Sequence, residues 1–194
     1  MIKLVFATNN IYKIKEISNL VNVQFKIFSL KDINCFNDIP ENSDTLEGNA
    51  SGKAFYVYNK YGLDCFADDT GLEIESLKGE PGIYSARYAG ENKNFDDNMN
   101  KVLRKLKGIT NRKARFRTVI SLIIKGKEVL FEGVVHGVIL KQKRGNNGFG
   151  YDPVFKPDGY NKSFSEMSLE EKNKISHRFL AVQKFVNYLK RLKD

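Results

Sequence analysis

Thiols and long apolar runs are both scarce in this sequence, and each scarcity removes a class of protein. Its two cysteines, Cys35 and Cys65, stand in unrelated contexts with no CxxC pair and no histidine-rich segment beside them. Neither a zinc site nor a disulfide framework is therefore expected, and a reducing cytoplasm is the expected compartment. The apolar stretch Leu4-Val5-Phe6-Ala7 gives way to Thr8-Asn9-Asn10, too short for a signal peptide, so export is not expected. Val119 to Ile124, interrupted by Ser121, falls far short of the roughly 20 residues a membrane helix needs. No membrane partner is expected. Repeats, linkers and low-complexity segments are also missing, so residues 1–194 read as one domain.

What is present is an ordinary folded composition, 41% hydrophobic and 28% charged. Thirty-two Lys and Arg against 23 Asp and Glu give a formal charge of +9, which suits nucleic acid, an anionic surface or a polyanionic small substrate. The lysines are scattered, with no arginine-rich block and no aromatic-basic module. Much of the charge reads as a solvated surface, and no stable nucleic-acid partner is expected.

Residues 2–7 form a branched and aromatic run that reads as a buried strand. Ile14, Ile17, Leu20 and Val21 then recur at helical spacing, and a second strand is expected near residues 24–30, which together make a βαβ start to an α/β fold. Asp44 with Glu47 reads as a capping box for a helix that Gly62 stops. A strand over residues 63–67 is expected to deliver Asp68-Asp69-Thr70-Gly71 to a turn, with another brief strand at Leu72, Ile74 and Leu77. A helix over 95–107 follows, then two strands near 114–124 and 128–140 joined by a hairpin at Lys125-Gly126-Lys127. Ser168 with Glu171 is a second capping box, and Ser176 is the expected cap of a final helix with Phe179, Val182, Val186 and Leu189 on one face.

Four segments could carry chemistry. Thr8-Asn9-Asn10-Ile11-Tyr12-Lys13 lies between strand and helix, where backbone N–H groups and the helix dipole favour phosphate and Lys13 adds a full charge. It is not a Walker A loop, and a plain helix cap with a surface lysine is the alternative. Asp68 and Asp69 follow an apolar strand, at the strand end where α/β proteins bind ligands. Neighbouring side chains of extended backbone face opposite ways, so one acid can bind metal or activate water while the other orients a neighbour. An Asp-rich turn is the alternative. Glu41 is a further carboxylate within reach of the same site, and hard oxygen ligands suit Mg²⁺. In Gly148-Phe149-Gly150-Tyr151-Asp152-Pro153 two glycines permit close backbone approach and two aromatics offer faces for a base, or else pack in the core. Lys172, His177 and Arg178 lie at or before a helix start, where the dipole repels cations, and this hints at an anionic or keto-bearing partner.

Taken in order, these segments, with Gly82-Ile83-Tyr84-Ser85-Ala86-Arg87-Tyr88, resemble the non-canonical purine NTP pyrophosphatases, also called inosine triphosphate pyrophosphatases. The resemblance covers essentially the whole chain. It implies a homodimer with an elongated, two-lobed α/β fold around a long twisted mixed sheet, the nucleotide lying in a cleft between the lobes. It implies Mg²⁺-dependent cleavage of ITP, dITP and XTP to the monophosphate and pyrophosphate. By the same resemblance Thr8, Asn9, Asn10, Ile11, Tyr12, Lys13 and Thr70 contact substrate, with the phosphates gripped by Thr8, Asn10 and Lys13. Asp69 is the catalytic carboxylate, Glu41 and Asp69 hold the metal, and Asp68 supports. Phe149, Gly150, Tyr151 and Asp152 form the base loop, and Lys172, His177 and Arg178 make the remaining contacts. A related enzyme for modified pyrimidine or thymidine nucleotides is the competing enzyme class, and a basic nucleic-acid-binding protein the competing non-enzyme class. One departure stands out: relatives commonly read Thr-Phe-Glu-Glu-Asn-Ala where this chain has Thr45-Leu46-Glu47-Gly48-Asn49-Ala50. Gly48 removes a carboxylate there.

Overall fold

The computed structural model describes residues 2–20 and 25–192. β1 (Ile2–Phe6), α1 (Ile11–Leu20) and β2 (Phe25–Phe28) form the expected βαβ start, with β2 parallel to β1 and Ile2 opposite Phe25. Val21 and Gln24, expected in the first helix and the second strand, lie outside the described residues, as does the Leu20 side chain. α2 (Leu46–Tyr61) begins one residue later than the capping box suggests. Thr45, not Asp44, takes the extended capping conformation, and its hydroxyl accepts from the Gly48 N–H at 3.0 Å. Glu47 then stands one residue too early to close a box. Gly62, at φ +65°, ends the helix as expected.

The acidic segment is not a turn. β3 runs unbroken from Cys65 to Ile74, so Asp68-Asp69-Thr70-Gly71 and the Leu72–Ile74 stretch belong to one strand. The reason is tertiary. β4 (Pro81–Gly82) pairs antiparallel with β3, Leu72 opposite Gly82, and a Cβ on Gly71 would lie 2.8 Å from the Gly82 carbonyl oxygen. Glycine is there for close backbone approach within a strand rather than for turning.

α3 (Phe95–Lys105) is capped by Asn94, and β5 (Lys113–Ile124) and β6 (Lys127–Ile139) form the expected hairpin. Lys125 and Gly126 both have positive φ, the signature of a turn that matches strand twist. β7 (Phe155–Pro157), too short to read from the sequence, pairs antiparallel with β6. Among the described residues the sheet has seven strands in the order β2-β1-β3-β5-β6-β7, with β4 on β3, and it is mixed. α4 (Leu169–Asn173) carries the expected Ser168–Glu171 capping box, and α5 (His177–Arg191) starts directly after Ser176. No helix of the described residues is long and apolar enough to cross a membrane.

Contacts divide the chain into two units. The first comprises Met1–Asp69, Thr118–Gly133 and Arg178–Asp194, the second Thr70–Arg117 and Val134–His177. In the first, Leu4, Phe6 and Phe66 pack with Ile17 of α1 and Phe185 and Leu189 of α5 on one sheet face. Val5, Ala7, Cys65 and Ala67 pack with Ala54 and Val57 of α2 on the other. The period-two alternation of β1 and β3 thus sorts their side chains between two helical layers. The second unit has its own core, centred on Leu72, Val102, Phe116, Phe155 and Phe164.

Cys65 illustrates the first of these cores. Its thiol donates to the Ala54 carbonyl at 3.1 Å, and burial pushes its pKa up to about 12. A thiol that titrates so high carries almost no thiolate at pH 8. Native protein is expected to leave Cys65 unmodified by a disulfide reagent at that pH, and urea-unfolded protein to react in full; mass mapping of the labelled cysteine reads the difference.

Candidate active site

The two acids of β3 are adjacent in sequence and part company in space. Asp68 follows Phe66 onto the α1 and α5 side, and Asp69 follows Cys65 and Ala67 onto the α2 side. Each meets a different set of partners.

On the first side, Asp68 is fully buried. Lys13 Nζ lies 2.9 Å from its Oδ1 and donates to its backbone carbonyl at 3.3 Å, while Arg178 Nε lies 3.4 Å from Oδ2. The same guanidinium is ion-paired with Glu16, which α1 presents three residues after Lys13. Lys13 and Glu16 therefore share a helix face. Burial opposes the Asp68 charge, but Lys13 and Arg178 outweigh it and hold the carboxyl below the usual range. Lys13 itself is lowered, chiefly by burial and then by repulsion from Lys53 and Arg178, against the opposing pull of Asp68 and Asp69.

On the second side, Asp69 Oδ2 accepts from Asn49 Nδ2 at 3.1 Å, and Lys53 Nζ lies 3.8 Å from Oδ1. Lys53 is also paired with Glu41. Asn49 and Lys53 are four residues apart in α2 and lie on its buried stripe with Leu46, Ala50, Ala54 and Val57. Burial raises the Asp69 pKa and Glu41 adds to it, against the pull of Lys53 and Lys13. For Lys53, burial lowers the pKa, but Asp69 and Glu41 together raise it above the ordinary value.

The loop before α1 is arranged around Asn10. Its side-chain oxygen accepts from the N–H groups of Tyr12 and Lys13 at 3.0 and 3.2 Å, and Thr8 Oγ1 accepts from the Asn10 N–H. Two backbone donors expected to face phosphate are thus engaged by the cap, which leaves the Lys13 ammonium as the loop's full charge. Asn9 and the Ile11 and Tyr12 side chains are exposed.

In the second unit, the Gly148–Pro153 loop is tied to Asp152. Its Oδ2 accepts from the Phe149 N–H at 2.8 Å and pairs with Lys172 Nζ at 2.7 Å in a buried contact. Lys172 also lies 4.9 Å above the Phe149 ring, a cation–π arrangement. The two aromatics divide between the readings given above. Phe149, like Gly150, is half-buried, whereas Tyr151 is a core residue whose hydroxyl donates to the Ser85 carbonyl at 2.9 Å. His177 is buried and stacked on Phe116 at 4.6 Å. Thr70, the first residue of this unit, is half-buried on β3.

Against this geometry the comparisons are decisive. A model of the Ham1 family matches residues 4–188. The chain belongs to the Ham1 family. It is 58% identical over 187 residues to a dITP/XTP pyrophosphatase of Flavobacterium johnsoniae, covering 96% of this chain and 97% of the relative. A Porphyromonas gingivalis protein of the same description is 52% identical, covering 97% and 98%. Among solved structures, the Staphylococcus aureus Ham1 protein superposes with a TM-score of 0.90 at 38% identity, covering 97% of this chain and 98% of that one. A HAM1 protein from Coxiella burnetii gives 0.92 at 34%, covering 98% and 100%.

Sequence reading did not single out Glu16, Asn49 or Lys53 in this Ham1-family chain. A signal existed. The apolar stripe of α2 runs through Asn49 and Lys53, and a polar pair on a helix's buried face requires partners. Glu16 is quieter, since lysine and glutamate three apart read as an ordinary surface pair.

The loop's glycine is testable directly. Gly148 has φ +79°, and a Cβ there would lie 2.1 Å from Asp152 Oδ2. Gly148→Ala is expected to lose about 1–2 kcal/mol from backbone strain alone, more if Asp152 is displaced. Urea denaturation checks it, and an unchanged midpoint would show that the loop rearranges without cost.

Proposed function

We propose that this chain hydrolyses dITP, ITP and XTP to the monophosphate and pyrophosphate, with Asp69 as the catalytic carboxylate and Mg²⁺ as cofactor. The carrying observation is the buried Asp69 set between Asn49 and Lys53, with Glu41 on the same lysine and Lys13 close enough to influence its charge. Membership of the Ham1 family and relatives named dITP/XTP pyrophosphatase supply the reaction.

Mg²⁺ fits the donor set. Glu41 and Asp69 offer hard carboxylate oxygens in the number this ion usually takes, and Lys53 already stands as a cation against both. Among the described residues no larger group of metal-ligating side chains is gathered. Held by Glu41 and Asp69, the ion would neutralise charge on the triphosphate.

The residues themselves do the following. Thr8, Asn9, Asn10, Ile11 and Tyr12 shape the phosphate loop, and Lys13 brings its ammonium to the phosphates while Asp68 holds it in place. Asp69 orients and deprotonates the water that attacks the α-phosphorus. Its raised pKa suits a base, since it strengthens the affinity for a proton without requiring a covalent step. Phe149 stacks on the base, and Gly150, Tyr151, Asp152 and Lys172 keep that loop in shape. Thr70 completes the substrate contacts. A 6-oxo purine needs a donor opposite it. The two candidates are Arg178, held by Glu16 and Asp68, and His177, stacked on Phe116. Adenine's 6-amino group would oppose a donor and leave buried polar groups unpaired, which costs more than the missing bond itself. A homodimer, supported by the family resemblance alone, acting in the cytoplasm, the compartment suggested by two cysteines in unrelated contexts, completes the reading.

The test is pyrophosphate release from ITP, dITP, XTP, GTP, ATP and dTTP, each with and without Mg²⁺. Turnover of the first three well above the rest, and only with the metal, is expected. Preference for dTTP would assign the chain to the pyrimidine class instead, and preference for ATP would remove the donor argument.

A further inference from the structure

Asn49 joins two parts of the site that the backbone holds separately. Its carboxamide nitrogen donates to Asp69 Oδ2 at 3.1 Å, and its carboxamide oxygen accepts from the backbone N–H of Ser43 at 2.9 Å, the residue itself being 2% exposed. Ser43 is two residues from Glu41, so fixing its N–H limits where the Glu41 carboxylate can go. The Ser43 side chain is clamped in turn. Its Oγ accepts from the Thr45 N–H at 3.3 Å and sits in the space above Gly48, where a Cβ would lie 1.9 Å from Oγ and 2.7 Å from the Ser43 Cβ. Rotating the serine would move its oxygen but not its Cβ. Any larger residue at 48 must therefore push the Ser43 backbone away from Asn49.

We propose that Asn49 is a positioning residue that sets the spacing of the Glu41 and Asp69 carboxylates for a divalent cation, and that Gly48 is required for Ser43 to close this link. The proposal rests on the reading of Glu41 and Asp69 as cation ligands. It also gives Gly48 a purpose: the glycine makes room for a serine that ties down the Glu41 loop. Side chains that orient metal ligands from behind in this way change metal affinity by about 10–100-fold when removed.

Mn²⁺ binding to the nucleotide-free protein, followed by electron paramagnetic resonance, tests it. Asn49→Ala and Gly48→Ala are both expected to weaken Mn²⁺ binding by about tenfold or more. Alanine is the better helix former, so Gly48→Ala should do this while helix content is kept or raised. In the double variant Ser43→Gly/Gly48→Ala the clash is gone, and affinity is expected to recover toward the wild-type value. A purely structural effect of residue 48 would not be reversed from residue 43. Should Asn49→Ala fail to fold, the Gly48 and Ser43 pair decides the matter. Wild-type affinity in Gly48→Ala, no recovery in the double variant, or no Mn²⁺ binding by the wild type would each overturn the proposal. Mn²⁺ binding that depends on Asn49 in a chain that leaves dITP and XTP intact would refute only the functional reading.

Discussion

Asp69→Asn is expected to lower kcat for dITP by about 10²–10⁴-fold, the range that a positioned general base contributes, while leaving the protein at least as stable as before. The two halves of this expectation come from the same geometry. Asparagine keeps the shape of the side chain and can still face Asn49, but it accepts no proton and carries no charge to a cation. The sign of the stability effect follows from the raised pKa of Asp69. A carboxyl whose folded pKa lies above its unfolded value is disfavoured as an anion in the fold, so at pH 7 its ionisation subtracts from stability. Removing that charge ends the 3.8 Å pairing with Lys53, but Lys53 keeps Glu41 and is not left unpaired. Steady-state kinetics and thermal unfolding on one preparation check both halves. A variant that is inactive because it has unfolded would reject Asp69 as the base and make it a structural residue.

Arg178→Ala is expected to do the opposite, damaging the fold. Arg178 is buried against Asp68 and Glu16, and its removal takes a partner from two buried carboxylates, leaving Asp68 with Lys13. Breaking a buried ion pair from one side costs about 3–5 kcal/mol, a large part of a total stability of about 5–15 kcal/mol. For a chain of this size that is a fall in Tm of roughly 10 °C or more. Its pH dependence is also set. The Asp68 pKa is lowered, so its contribution is present above the unfolded value and is lost as pH falls through the folded one. The Tm gap between wild type and variant should therefore be widest near neutral pH and narrow as pH falls through the folded Asp68 value. Differential scanning calorimetry from pH 7 down to acid measures this. An unchanged Tm with a much raised KM would instead place the guanidinium against the substrate, as the family resemblance implies.

Much of the molecule can be read from residue order alone, where the determinants are local. The βαβ start, the Lys125-Gly126 hairpin and the Ser168 capping box depend on periodicity, positive φ and a four-residue motif, and each is where those cues place it. The same holds for the opposite facing of Asp68 and Asp69, which follows from strand geometry once the segment is extended. What escaped was set at long range. Asp68-Asp69-Thr70-Gly71 has the composition of a turn, and it is the place of β3 between β1 and β5, with Gly82 close against Gly71, that keeps it in a strand. The Thr8–Lys13 loop looks richer in free donors than it is, because Asn10 caps its own helix. Asn49, Lys53 and Glu16 acquire their importance from partners 20, 16 and 162 residues away in sequence, namely Asp69 for the first two and Arg178 for the third. No local spacing announces those contacts.

The most direct measurement follows the oxygen. Wild-type protein and Asp69→Asn are each given dITP in H₂¹⁸O with Mg²⁺, and the products are separated and weighed by mass spectrometry. Water activated beside Asp69 and directed at the α-phosphorus leaves the label in dIMP, with unlabelled pyrophosphate, and the variant forms almost none of either. Label in pyrophosphate, release of orthophosphate, or equal turnover by Asp69→Asn would contradict Asp69 as the base of a pyrophosphate-releasing hydrolase.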